Sequence, residues 1–160
     1  MHLRFEAIPT PAARGLQRGG ADANGQLPEQ RVSDGSGVPC RACLRLVPEG
    51  QVYLVLAYRP FRGINPYSEV GPIFLCADEC ESGTLNDRLP PFLTSERYIV
   101  RGYDSDEHIV YGTGRVTDTA DIIAYSSNLL KRDDVGFVHV RSATNNCFHV
   151  RVQRHRTAEP

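Results

Sequence analysis

The segment Gln51-Val-Tyr-Leu-Val-Leu-Ala-Tyr58 is apolar on both alternating faces, with Val52, Leu54, Leu56 and Tyr58 on one and Tyr53, Val55 and Ala57 on the other. Such a run reads as a strand covered on both sides, so the chain must build layers around it. Arg59-Pro60 ends the strand, Gly63 to Pro66 makes a turn, and Gly71 to Cys76 supplies a second short apolar strand.

The rest of the chain supports sheet more than helix. Leu3 to Ile8 alternates like a half-buried strand, and a short helix over about Pro11 to Gln17 follows. Residues 19–39 are rich in Gly, Asp, Asn and Ser and read as one long loop, anchored by Leu27, Val32 and Val38 and placed to cover a cleft near Arg59 and Tyr67. Arg97 to Tyr103 and His108 to Thr113 flank the polar tetrapeptide 104–107, as two antiparallel strands would. Between Thr119 and Arg132 the pairs Ile122-Ile123 and Leu129-Leu130, seven residues apart, mark one main C-terminal helix capped from residues 117–119. The expected class is α+β, a mainly antiparallel sheet packed by that helix, in a single domain over 1–160 with a disordered tail at 155–160.

The closing hairpin, Gly136 to Val140 with Cys147 to Val152, has a register that its side chains dictate. Only pairings whose residue numbers sum to an even value place Val138 and Val140 with Phe148, Val150 and Val152. That register, for example Arg141 opposite Cys147, sends His139, Arg141, Cys147, His149 and Arg151 to the other face.

Composition limits the functions available. Eighteen basic and nineteen acidic residues leave a net charge of −1, which provides no field for nucleic acid. No stretch approaches the roughly 18 apolar residues of a membrane span, and Met1 to Thr10 lacks the apolar core of a signal peptide, so a cytoplasmic protein without membrane partners is expected. Lys131 is the only lysine, an arginine bias that points to a GC-rich bacterial source.

Two cysteine pairs carry the strongest chemical signal. Cys40-Arg-Ala-Cys43 and Cys76-Ala-Asp-Glu-Cys80 stand 32 residues apart, and thiolate pairs on two turns can complete a tetrahedron around one structural Zn2+. The alternatives are four reduced core cysteines, or a redox pair at Cys40 and Cys43, for which no thioredoxin-like context is present. A second group, Cys147 with His139 and His149, would supply a nucleophile beside an imidazole if the hairpin's polar face were a reactive site; a solvated sheet face explains it as well. A third, Arg59, Tyr67, Glu69, Arg101 and Arg141, lies at strand ends and suits an anion-binding cleft or ordinary ion pairs. Dinucleotide, calcium, hydrolase and zinc-protease signatures do not occur.

The motifs Pro39-Cys-Arg-Ala-Cys-Leu-Arg45, Tyr58-Arg-Pro-Phe61, Pro66-Tyr-Ser-Glu-Val-Gly-Pro-Ile-Phe74, Arg101-Gly-Tyr103 and His139-Val-Arg-Ser142 resemble, in order, the small bacterial family called domain of unknown function 1203. The resemblance covers nearly the whole chain and implies no activity. It also implies that the position of Cys76 is commonly histidine; zinc accepts either residue, whereas a disulfide does not. The resulting expectation is a zinc-stabilised binding module for a small molecule or protein of unknown identity, with a small Cys/His-dependent enzyme around Cys147 and His139 as the alternative. The sequence leaves the oligomeric state open.

Overall fold

The computed structural model describes residues 1–156. Nine strands and two helices run in the order β1 (His2–Glu6), α1 (Thr10–Gln17), β2 (Glu29–Val32), β3 (Val52–Tyr58), β4 (Gly71–Cys76), β5 (Leu85–Asn86), β6 (Arg97–Tyr103), β7 (Arg115–Asp118), α2 (Ile122–Leu130), β8 (Phe137–Ser142) and β9 (Phe148–His155). They form a six-stranded sheet, β5-β1-β9-β8-β6-β7, and a three-stranded sheet, β2-β3-β4. All named pairings are antiparallel, so the fold is α+β as expected.

Two apolar clusters hold the layers together. One lies between α2 and the large sheet, where Ile122, Leu129 and Leu130 meet Leu3, Phe5, Val138, Val140, Val150 and Val152. The other joins α1 and the segment 38–47 to the small sheet through Ala13, Val38, Val47, Leu54, Leu56, Ile73 and Leu75. Here β3 departs from expectation. Leu54 and Leu56 are buried, but Tyr53, Val55 and Ala57 are only half-buried. Their cover is local: the Tyr53 ring packs edge-on against Phe74 of the neighbouring strand, centroids 5.3 Å apart.

Four local departures have physical causes. Residues 19–39 contain β2, whose four side chains are all exposed, so an edge strand held by backbone pairing to β3 leaves no apolar alternation to read. Of the expected anchors in this stretch only Val38 is buried; Leu27 and Val32 are exposed. The strand expected at His108 to Thr113 shrinks to one bridge, Tyr103 to Ile109, because buried Thr113 interrupts it. The Thr113 hydroxyl accepts the Gly102 N–H at 2.9 Å and donates to the Val110 carbonyl at 2.5 Å, Gly112 turns with φ +85°, and pairing with β6 resumes only in β7. The C-terminal helix starts with a 3-10 turn, Thr119–Asp121, and neither helical segment there has a side-chain cap; Thr119 instead bonds the Ser95 carbonyl.

The fourth departure is in the closing hairpin. Val138, His139 and Val140 pair with Val152, Arg151 and Val150, an even-sum register, but a bulge then sets Arg141 opposite Phe148. Phe148 therefore joins His139 on the face away from α2, centroids 4.8 Å apart. His149 turns into the α2-side cluster, against Phe92 at 5.6 Å and Tyr98 at 5.3 Å. The expected common face of His139, Arg141, Cys147, His149 and Arg151 is thus corrected: one extra residue reverses side-chain direction along a strand. His155 closes β9, and the rest of the expected tail, apart from Arg156, falls on 157–160, outside the described residues.

Candidate metal centre and the arginine-histidine layer

Cys40, Cys43, Cys76 and Cys80 converge, with all four Sγ atoms within 4.8 Å of one another. Each is positioned by backbone. A small loop closes through the Pro39–Leu46 bridge, with Cys40 N–H donating to the Arg45 carbonyl and Leu44 N–H to the Cys40 carbonyl, both at 2.9 Å. The chain reverses at Leu44, which is fully buried yet adopts φ 58°. That conformation costs a non-glycine residue about 1–2 kcal/mol, which the packing of its side chain offsets. Cys76 ends β4, beside the parallel bridge of Cys40 to Phe74, and its N–H donates to Cys40 Sγ at 3.3 Å.

The segment carrying Cys80 is tied down from α1. Arg14 Nη2 donates to the Cys80 carbonyl at 2.6 Å, and Gln17 Nε2 donates to the carbonyls of Cys76 and Asp78 at 3.0 and 3.1 Å. Gly83 then returns the chain against the first pair, its N–H bonded to the Ala42 carbonyl. Sequence reasoning missed Arg14, Gln17 and Gly83; a polar helix face and one glycine signal nothing until the tertiary fold sets them beside a thiol pair.

The donor set fits a metal ion. A tetrahedron with metal–sulfur bonds of about 2.3 Å has sulfur–sulfur edges of about 3.8 Å, and Cys40 Sγ lies 3.8 Å from Cys80 Sγ. All five cysteines are free thiols. Hydrogen bonds from Cys40, Cys76 and Cys80 hold the Cys43 thiol far below its ordinary range, while Cys76 and Cys80 are pushed far above theirs by Cys40 and Cys43. Cys40 settles at about 7, its bond with Cys43 opposing those with Cys76 and Cys80. A divalent cation favours thiolates over thiols at such a cluster, so binding it would release the protons of the four sulfurs. Arg41, between the first two cysteines, is 2% exposed and bonds only the carbonyls of Phe148 and Pro39. Burial lowers its pKa to about 10, opposed by negative charge at Cys147 and Cys40.

Across the molecule, His139 is fully buried among the rings of Tyr103, Phe148, Phe137 and Phe61, 4.8 to 5.2 Å away. Burial, then the charges of Arg141, Arg151 and Arg101, hold it well below the ordinary histidine range, so it is a neutral imidazole. Nδ1 lies 3.4 Å from Arg141 Nη2, and Nε2 has no hydrogen-bond partner among the described residues. The fold brings together three of the five residues of the expected cleft: Glu69 stands 3.3 Å from Arg101 and 3.5 Å from Arg141, and Arg141 Nη1 also donates to the Asn146 carbonyl at 3.1 Å. Tyr67 instead bonds Tyr111 through the two hydroxyls at 2.9 Å, and Arg59 lines a separate cavity with the 20–23 segment and α1. The 19–39 segment therefore lies beside Arg59, as expected of it, and its residues 22–29 line a further cavity with Val70, Gly71 and Pro72.

Cys147 Sγ makes its hydrogen-bond contact, among the described residues, with the Asn145 carbonyl at 3.7 Å. His149 Nδ1 bonds the Cys147 carbonyl rather than its thiol, and burial lowers that histidine to about 3. No helix among the described residues is long and apolar enough to cross a membrane.

No curated protein and no solved structure matches the chain. Residues 37–154, which include all four clustered cysteines and the arginine-histidine layer, match the family described as protein of unknown function (DUF1203), and the chain belongs to that family.

Proposed function

We propose that this chain is a zinc-stabilised binding module acting in the bacterial cytoplasm. The observation that carries the reading is the convergence of the four thiols at tetrahedral spacing from two separate loops. Zinc is the choice among metals because an all-sulfur tetrahedral set of two close pairs suits it, and a closed set leaves no open position for substrate. The metal's role is therefore structural: it clips the 40–46 loop to the end of β4 and the segment after it, adding to backbone bonds and to the Arg14 and Gln17 side-chain bonds. Five free thiols agree with a reducing compartment.

The test is metal content. Protein purified without chelator is expected to hold close to one zinc per chain by elemental analysis, and Cys43→Ser to lose most of it together with thermal stability. Zinc-free wild type that melts at the same temperature after zinc is added would defeat the reading.

A further inference from the structure

Arg151 is a half-buried cation beside the arginine-histidine layer. It sits in β9 between two cross-strand neighbours, Glu6 of β1 and His139 of β8. Its guanidinium carbon lies 3.6 Å from the centre of the Phe137 ring, and its Nε is buried with no hydrogen-bond partner among the described residues. Glu6 and Glu107 favour its charge at a distance, but neither pairs with it directly. Glu6 accepts the Gln153 amide and stands 3.5 Å from Arg4, while Glu107 accepts the backbone N–H groups of Arg62 and Gly63. Arg141, by contrast, faces Glu69. Arg151 as a whole is half-buried, and an enclosed donor such as its Nε is ordinarily hydrogen-bonded, because leaving it unpaired costs free energy.

Arg151 lines a cavity of about 170 Å³. Arg62 lines it too, close enough for like-charge repulsion to help lower the pKa of Arg151 after burial. Apart from Glu6, the rest of the lining is apolar and aromatic, with Ile8, Tyr58, Pro60, Phe61 and Phe148 in it. The tilted packing of Tyr58 against Phe148, centroids 6.2 Å apart, gives that wall a fixed shape. Two cations that outnumber the single lining carboxylate, among apolar and aromatic side chains, suit an amphipathic anion.

We propose that this cavity binds a small organic carboxylate, its carboxylate paired with Arg151 and Arg62 and its apolar body against Tyr58, Phe61 and Phe148. The size selects a compact body, since a cavity of about 150 Å³ in another protein admits benzene. Inorganic phosphate satisfies the arginines but leaves the aromatic wall wet. Glu6 also lines the cavity, so its charge opposes the ligand and tunes the affinity downward. The proposal names the ligand class of the binding module and rests on that reading, though not on the identity of the metal.

The experiment titrates three probes, benzoate, benzyl alcohol and inorganic phosphate, into full-length protein of measured metal content and melting temperature, followed by calorimetry and by chemical shifts. Benzoate is expected to saturate with a Kd of about 1 mM or tighter. The neutral ring and the ringless anion should each bind about tenfold more weakly. Arg62→Gln, an exposed position that leaves the core intact, should weaken benzoate about tenfold, and Glu6→Gln should tighten it. Arg151→Gln should match Arg62→Gln if it folds. Benzoate that does not saturate, benzyl alcohol or phosphate binding as tightly, or affinity unmoved by Arg62→Gln would overturn the proposal. Because metal content is read on the same sample, such a failure is distinguishable from loss of the zinc site.

Discussion

Gly83 lies so close to Cys43 that a Cβ on it would stand 1.8 Å from the Cys43 carbonyl oxygen and 2.3 Å from its carbon. Both obstacles are backbone, so no rotamer change relieves them. The approach is what allows the chain leaving Cys80 to fold back onto the first thiol pair, through the Gly83 to Ala42 hydrogen bond of 2.9 Å. Gly83→Ala is expected to destabilise the protein by about 2 kcal/mol or more and to weaken zinc about tenfold against a competing chelator. A variant with wild-type melting and metal affinity would show that this contact does not hold the site.

Leu44 offers a test of sign. At φ 58° glycine is favoured over alanine, whereas at ordinary φ the order reverses. Both Leu44→Ala and Leu44→Gly remove a fully buried side chain and should cost about 2–5 kcal/mol. Between the two, the glycine variant is expected to be more stable by about 1 kcal/mol. Denaturant unfolding of both variants measures it, and an alanine variant equal to or above the glycine one would mean that the loop turns differently.

Acid should destabilise the fold through its buried histidines. Burial lowers His149 to about 3, and His139 lies well below the ordinary value of 6.5. Below pH 6.5 the unfolded chain then binds protons that the folded chain refuses, so stability is full above that pH and falls as pH drops toward the folded pKa. At pH 5 each neutral histidine accounts for a loss of about 2 kcal/mol. His149→Phe should remove its share, making the decline between pH 7 and 5 shallower than in wild type. Equal slopes in urea-unfolding series across that range would show that His149 accepts a proton in the folded state.

Much of the architecture is legible because apolar patterning follows what is buried. Leu3 and Phe5, the valines of β8 and β9, and the Ile122 and Leu129-Leu130 stripe of α2 all lie where periodicity puts them. What escapes the sequence is backbone-driven. The strand β2 pairs without burying a side chain, Thr113 interrupts a hairpin through its hydroxyl, and the bulge beside Arg141 exchanges the faces of Phe148 and His149. The four cysteines were legible from spacing alone, because metal-ligand chemistry ties residue type to local geometry. The surroundings of the arginines were not, since whether Arg151 or Arg141 finds a carboxylate depends on where Glu6 and Glu69 end up in three dimensions.

Glu69 holds the visible part of that layer. Its carboxylate lies between Arg101 and the almost fully buried Arg141, while being itself partly exposed. Glu69→Gln leaves Arg141 without a counter-charge, and a loss of about 1 kcal/mol is expected after allowance for solvent screening. Raising the salt concentration should narrow the gap between variant and wild type. A gap that widens with salt would assign the effect to packing rather than charge.

Whether Cys40, Cys43, Cys76 and Cys80 hold one zinc ion is read directly by zinc-edge X-ray absorption of the purified, zinc-replete protein. Four sulfur neighbours at about 2.3 Å are expected, with no light-atom neighbour bonded to the metal. A shell dominated by nitrogen or oxygen, or one that keeps all four sulfurs in Cys43→Ser, would contradict that coordination.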